Sequence, residues 1–146
     1  MDSFSGRTVL VTGASGGIGG ATVRRLRKEG ATVLAAGRDE EALAALAEET
    51  GARPLPFELT EEDSIRTAIE GRGLDGVVNC GGWGGAIEKP QDADVEVFDK
   101  VMAINARSAL LVTKYASREM IRAGRGGAIV NVSSQALSLI HISEPT

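Results

Sequence analysis

A glycine-rich segment near the N-terminus constrains this sequence more than any other feature. Residues 12–19 read Thr-Gly-Ala-Ser-Gly-Gly-Ile-Gly and lie between an apolar run at residues 7–11 and an amphipathic stretch at residues 17–29. The apolar run is typical of a strand buried on both faces, and Gly30 is placed to stop the helix that follows. Glycines permit a sharp turn and a close approach to phosphate, and a helix N-terminus offers free N–H groups. The segment therefore favours nucleotide binding over the alternative, a generic glycine-rich turn.

Apolar runs that suit strands alternate with amphipathic runs along the rest of the chain. We predict strands at residues 7–11, 31–36, 53–57, 74–79 and 128–132, with a helical run between consecutive strands. This alternation predicts an α/β fold in one domain, with a doubly wound parallel sheet covered by helices on both faces. Pro54 and Pro56 place the third strand at the margin of the sheet, because proline is not tolerated in the middle of a sheet.

Short polar signals indicate where the predicted helices begin, break and end. Asp39 is expected to N-cap the second helix, which ends at Gly51. The segment Thr60-Glu61-Glu62-Asp63 matches a capping box and is expected to open the third helix. The helical stretch at residues 95–123 is expected to break near Asn105 into two helices.

Composition excludes several classes of function. Apolar residues make up 42% of the chain and charged residues 25%, as in an ordinary globular domain. The net charge of −4 gives no basic footprint for nucleic acid or for an anionic membrane surface. The single cysteine excludes an internal disulfide framework and any multi-cysteine metal site, and we predict no metal. No signal peptide and no apolar run of roughly 20 residues is found, so we expect a cytoplasmic protein.

Motifs along residues 7–136 together resemble the short-chain dehydrogenase/reductase family. The glycine-rich segment has the family's spacing, and Asn79-Cys80-Gly81-Gly82 stands where the family shows Asn-Asn-Ala-Gly. Asn105 matches the family's helix-kinking asparagine, and Ser134 matches its catalytic serine, 29 residues after Asn105. Within the family the chain most resembles the branch of carbonyl reductase and L-xylulose reductase.

The resemblance implies a fold, a reaction and a set of site residues. The fold would be a Rossmann-type sheet with strand order 3-2-1-4-5. The reaction would transfer a hydride between NADP(H) and a small-molecule carbonyl or secondary alcohol, in an enzyme that is a homodimer or homotetramer. Asn105 and Ser134 would be catalytic. The residues implied to bind the cofactor are Gly13, Ser15, Gly17, Ile18, Gly19, Arg38, Glu58, Leu59, Asn79, Cys80 and Gly81.

The end of the second strand bears on the choice of cofactor. A carboxylate there would bind the ribose hydroxyls of NAD(H) and repel a 2′-phosphate. Gly37 takes that place and Arg38 follows it, so we expect NADP(H) rather than NAD(H). The alternative is that Arg38 is a solvated loop residue, and Gly16 stands where NADP-preferring relatives often have a basic residue. By the resemblance, Glu58 and Leu59 border the adenine, and Glu58 could accept a hydrogen bond from its amine.

The Tyr-x-x-x-Lys pair that completes catalysis in the family is absent from this sequence. Tyr115 is the single tyrosine, and Glu119 stands four residues after it. Because Tyr115 also precedes Ser134, we interpret it as a packing residue on a helix face. We therefore expect the 146-residue chain to lack carbonyl reduction. The alternative function is a non-catalytic dinucleotide-binding sensor or scaffold, and a Tyr-x-x-x-Lys pair about a dozen residues beyond Ser134 in a longer gene would discriminate between the two.

The last ten residues differ from the family's continuation. Residues 137–146 read Leu-Ser-Leu-Ile-His-Ile-Ser-Glu-Pro-Thr and match the in-frame translation of a widely used transposase sequencing-library adapter. We therefore expect residues 1–136 to be an incomplete NADP-binding Rossmann domain, truncated after the fifth strand, and residues 137–146 to be a non-native tail. On this interpretation the chain is an N-terminal fragment of a longer enzyme.

Overall fold

Strands and helices alternate along the chain in a computed structural model that describes residues 3–85 and 88–134. The strands are β1 Thr8–Thr12, β2 Thr32–Gly37, β3 Arg53–Pro56, β4 Gly76–Asn79 and β5 Ala128–Asn131. The helices are α1 Gly17–Lys28, α2 Glu40–Thr50, α3 Glu62–Ile69, α4 Val95–Met102 and α5 Ser108–Ala123. A 3₁₀ turn at Pro90–Asp92 precedes α4, and a π-helical turn at Ala103–Arg107 joins α4 to α5. No helix of the described segments is long and apolar enough to cross a bilayer.

The five strands form one parallel sheet in the order β3-β2-β1-β4-β5. This order confirms the predicted doubly wound fold, and it confirms the edge position of the proline-containing strand β3. The strand order reverses between β1 and β4, where Thr12 pairs with Asn79 in register. In open sheets of this kind, ligands bind in the crevice at the carboxyl ends of the strands where the order reverses.

Side chains of successive strand residues point to opposite faces and form two cores. Leu10, Leu34 and Val77 pack on one face against residues of α3 and α5. Val9 and Val33 pack on the other face against residues of α1 and α2. The central strand is almost completely buried on both faces, which explains its near-continuous apolar sequence.

The start of α2 confirms one predicted capping signal, whereas the start of α3 contradicts another. Asp39 Oδ1 accepts from the backbone N of Ala42 at 2.9 Å, as an N-cap should. The predicted capping box at Thr60 is wrong, because Glu61 is the N-cap of α3 and makes no side-chain cap. Thr60 instead donates its backbone N–H and its hydroxyl to Glu58 Oε1, each at 3.1 Å. The Thr60 hydroxyl thus donates to a charged acceptor two residues away, while α3 begins after Glu61 without a side-chain cap.

The helical stretch after residue 95 breaks at Asn105 as predicted, in the form of the π-helical turn.

Tyr115 on α5 is 5% exposed and packs in the core, which confirms its interpretation as a packing residue. Its hydroxyl donates to Glu62 Oε1 at 2.8 Å, and Lys114 Nζ donates to the same oxygen at 2.8 Å. The hydrogen bond from Lys114, and to a smaller extent that from Tyr115, lowers the pKa of Glu62 below its ordinary value.

The first turn of α1 packs directly against the turn that follows β1. A Cβ atom at Gly19 would overlap the carbonyl oxygen of Gly13, so the helix approaches the turn at a distance that only glycine allows. Gly13 itself has φ +63°, in the left-handed region that favours glycine. By contrast, a Cβ atom at Gly17 would meet no atom within 4 Å.

We predict that Gly19→Ala lowers the free energy of unfolding by about 1–3 kcal/mol, because the turn must move to accept the methyl group. Urea denaturation followed by circular dichroism measures this loss. Gly17→Ala is the matched control and should leave stability unchanged or slightly raised, since its methyl group enters open space. Equal stabilities for the two variants would contradict the close packing at Gly19.

Candidate functional site

A cavity of about 160 Å³ opens at the carboxyl ends of β1, β2 and β4. Its lining combines the turn after β1, the segments after β2 and β3, the loop after β4 and the π-helical turn. The lining residues are Gly13, Ser15, Gly37, Arg38, Glu58, Leu59, Gly81, Gly82, Trp83 and Ile104. A second groove, of about 490 Å³, lies toward the amino ends of the strands, and Phe4, Arg7, Asp75 and Arg125 are among its lining residues.

The turn after β1 and the loop after β4 come into backbone contact at the floor of the cavity. A Cβ atom at Gly13 would lie 2.8 Å from the carbonyl carbon and oxygen of Cys80 and from Gly81 Cα. Gly81 N donates to the hydroxyl of Thr12 at 3.1 Å, and Thr12 is 2% exposed. Glycine at positions 13 and 81 therefore lets the turn after β1 and the loop after β4 pack in direct contact, and both residues line the cavity.

The N-terminus of α1 carries features that suit an anion. Gly16 is the N-cap and supplies no side-chain acceptor, and the first turn contains no acidic residue. Three basic residues, Arg25, Arg27 and Lys28, lie in the last turn of the helix. The N–H groups of the first turn are therefore free of a side-chain cap, and the helix dipole favours negative charge there. Together with the glycine turn that lines the cavity through Gly13 and Ser15, this terminus fits the pyrophosphate of a dinucleotide.

One charged pair lies at the outer end of the cavity. Arg38 Nη1 is 3.9 Å from Glu58 Oε2, and the two side chains are 65% and 37% exposed. A Cβ atom at Gly37 would lie 3.6 Å from Ser15 Oγ, so the end of β2 lies next to the turn that follows β1. A Cβ atom at Gly81 would lie 2.6 Å from Leu59 Cδ1, so Leu59 covers the loop after β4.

The side chains of Asn79 and Cys80 face the interior rather than the cavity. Asn79 is 7% exposed and its Nδ2 donates to Asn131 Oδ1 at 2.8 Å, which links the ends of β4 and β5. Asn79 Oδ1 is buried without a partner among the described residues. Cys80 packs beside the core next to α1, and burial raises the pKa of its thiol. A thiol with a raised pKa is a poor nucleophile, and the side chain of Cys80 contacts the core instead.

Asn105 fastens the loop after β4 to the π-helical turn. Its Oδ1 accepts from Trp83 N at 2.7 Å, and its Nδ2 donates to Trp83 O at 2.8 Å. Lys100 Nζ lies 4.6 Å from the centroid of the Trp83 ring, within range of a cation–π interaction. The amide of Asn105 and the cation of Lys100 therefore hold the backbone and the indole of Trp83 at the rim of the cavity.

Ser134 follows β5 at the carboxyl edge of the sheet. Val132 N donates to Asn79 O at 3.0 Å, so the segment leading to Ser134 stays aligned with the end of β4. Residues 135–146, which include the predicted tail, lie outside the part of the chain that the structure describes.

The cavity brings together six of the predicted site residues, namely Gly13, Ser15, Arg38, Glu58, Leu59 and Gly81. The other predicted residues are not part of this lining, and they are Gly17, Ile18, Gly19, Asn79, Cys80, Asn105 and Ser134. Sequence reasoning missed Ile104 as a lining residue and Thr12 as the acceptor that holds Gly81. Their positions next to Asn105 and at the end of β1 were the available signals.

Known proteins share both the sequence pattern and the fold. A family model described as short chain dehydrogenase matches residues 7–142. The chain is 38% identical over 146 residues to a carbonyl reductase 2 of Sus scrofa whose name specifies NADPH, covering 98% of this chain and 58% of that protein. It is 37% identical over 139 residues to L-xylulose reductase of Homo sapiens, covering 92% of this chain and 56% of that protein.

A solved structure agrees with these relatives. A short-chain type dehydrogenase/reductase from Mycobacterium ulcerans superposes with a TM-score of 0.89 at 35% identity, covering 95% of this chain and 55% of that one. The chain spans about half the length of the curated relatives it matches. The family match, the strand order and the glycine-rich turn thus agree, and the chain belongs to the short-chain dehydrogenase/reductase family.

Proposed function

We propose that this chain is the cofactor-binding part of a longer NADP(H)-dependent reductase that interconverts a carbonyl compound and a secondary alcohol. The observation that carries the proposal is the uncapped N-terminus of α1, which follows directly on the turn whose Gly13 and Ser15 line the cavity. Free N–H groups at a helix N-terminus, beside a turn made of small residues, suit a pyrophosphate. When bound, the dinucleotide supplies the hydride at its nicotinamide ring.

The turn after β1 would hold the pyrophosphate through backbone N–H groups and one hydroxyl. Ser15 lines the cavity and would donate its hydroxyl to a phosphate oxygen. Gly17, Ile18 and Gly19 form the first turn of α1 and would present their N–H groups. The exposed side chain of Ile18, at 63%, would lie outside this contact and leave the backbone to bind.

Arg38 would select the phosphate-bearing cofactor. Gly37 places no carboxylate at the end of β2, and the Arg38 guanidinium is exposed beside the cavity. A guanidinium binds a phosphate through two parallel hydrogen bonds, which a ribose hydroxyl cannot match. The word NADPH in the name of the related carbonyl reductase supports this assignment.

The proposal assigns catalysis to Asn105, to Ser134 and to residues beyond the described part of the chain. Ser134 would polarise the substrate carbonyl with its hydroxyl, at the carboxyl edge of the sheet. Asn105 would order a proton-relaying water while its side chain holds Trp83. The general acid, a tyrosine assisted by lysine in this family, would come from sequence beyond residue 136, in place of the ten-residue tail. The whole enzyme would be a cytoplasmic homo-oligomer.

We predict that Arg38→Gln weakens NADPH binding about tenfold or more and leaves NADH binding within about twofold, because the variant loses a charge-assisted contact. Trp83 is the single tryptophan of the chain and lines the cavity, so quenching of its fluorescence reports each titration.

The matched control is Arg25→Gln, which removes the same charge from the exposed side of α1. It should bind both nucleotides as the wild type does. Equal losses of NADPH and NADH affinity in Arg38→Gln would contradict the role of Arg38. Absence of binding to the wild type would overturn the proposed function.

We also predict that the 146-residue chain gives no measurable oxidation of NADPH with aldehydes, ketones or ketoses, because no Tyr-x-x-x-Lys pair is present. Loss of a general acid alone typically costs about 10²–10⁴ in rate. Absorbance of NADPH under steady-state conditions measures this activity. A chain extended by the corresponding part of a longer gene, with Tyr-x-x-x-Lys, should turn over, and Ser134→Ala should abolish that activity. Turnover by the 146-residue chain itself would contradict the assignment.

A further inference from the structure

We propose that Glu58 is a specificity-determining residue that weakens the preference of the site for the phosphate-bearing cofactor by partly neutralising Arg38. This inference rests on the proposed function, since it concerns how NADP(H) and NAD(H) compete for the same cavity. The ligand that the cavity would bind is therefore a dinucleotide, with or without a 2′-phosphate.

The charges of the cavity lining carry the inference. Among the residues that line it, Arg38 and Glu58 are the charged ones, and their formal charges cancel. Arg38 Nη1 lies 3.9 Å from Glu58 Oε2. A phosphate dianion that approaches the guanidinium must therefore also approach a carboxylate, and the net attraction is smaller than that of an unpaired arginine.

The position of the Glu58 carboxylate is fixed independently of Arg38. Its Oε1 accepts from both the backbone N and the hydroxyl of Thr60, each at 3.1 Å. The backbone N of Glu58 donates to Ser64 Oγ at 3.0 Å, which anchors the residue to the start of α3. The carboxylate is therefore held by its own chain segment and stays in place when the more exposed Arg38 turns toward a ligand.

A role at the adenine ring predicts a different outcome. Adenine is common to both cofactors, so a carboxylate that bound its amine would affect NADPH and NADH affinity equally. A carboxylate that acts on Arg38 changes the ratio of the two affinities. The partial exposure of the pair adds a second signature, because screening by salt weakens interactions between exposed charges.

The test is a set of equilibrium titrations of the 146-residue chain with NADPH and with NADH, followed by Trp83 fluorescence at low and high salt. Glu58→Gln should raise NADPH affinity about three- to tenfold at low salt, leave NADH affinity within about twofold, and lose most of this gain at high salt.

The matched control is Glu61→Gln, which makes the same change in net charge at an exposed neighbouring residue outside the cavity lining. It should leave the ratio unchanged. An unchanged ratio in Glu58→Gln, or equal losses of both affinities, would overturn the inference while the proposed function stands. A ratio that rises equally in Glu61→Gln would also overturn it. Failure of the wild type to bind either nucleotide would overturn the proposed function and this inference together.

Discussion

The contact between two glycine-containing backbones organises the rest of this structure. Gly13 lies against Cys80 and Gly81, and Gly19 lies against Gly13, at distances that leave no room for a Cβ atom. These approaches join β1, the first turn of α1 and the loop after β4 at the point where the strand order reverses. The cavity opens beside that junction, and the uncapped N-terminus of α1 follows directly on its turn.

Electrostatics then divides the cavity into two parts. The helix terminus beside Gly13 offers N–H groups without a competing acidic residue. The outer end offers Arg38, but Glu58 shares its charge. A ligand with one phosphate group at each part would bind most tightly. The attraction at the outer end depends on the partly exposed pair of Arg38 and Glu58, so salt weakens it.

Patterns local in sequence predicted the fold well, because strand periodicity, the edge prolines and the Asp39 cap each act over a few residues. The Thr60 capping box failed because α3 begins one residue later than the motif requires, with Glu61 as its N-cap. Contacts between residues far apart in sequence could not be predicted from such local patterns. The pairing of Asn79 with Asn131 depends on the register of β4 and β5, and the side chain of Asn79 turns away from the site for that reason. Likewise, Ile104 enters the cavity because the π-helical turn presents it there, which no local pattern specifies.

The central claim is that a dinucleotide binds on the turn after β1, and a titration of isotope-labelled chain with NADPH, followed by amide NMR shifts, tests it most directly. The account predicts that the largest shifts fall on residues 13–19 and 81–83, around the backbone contact. Residues of the groove at the amino ends of the strands, such as Phe4, Arg7 and Arg125, should shift little. Shifts concentrated in that groove, with residues 13–19 unchanged, would contradict the account.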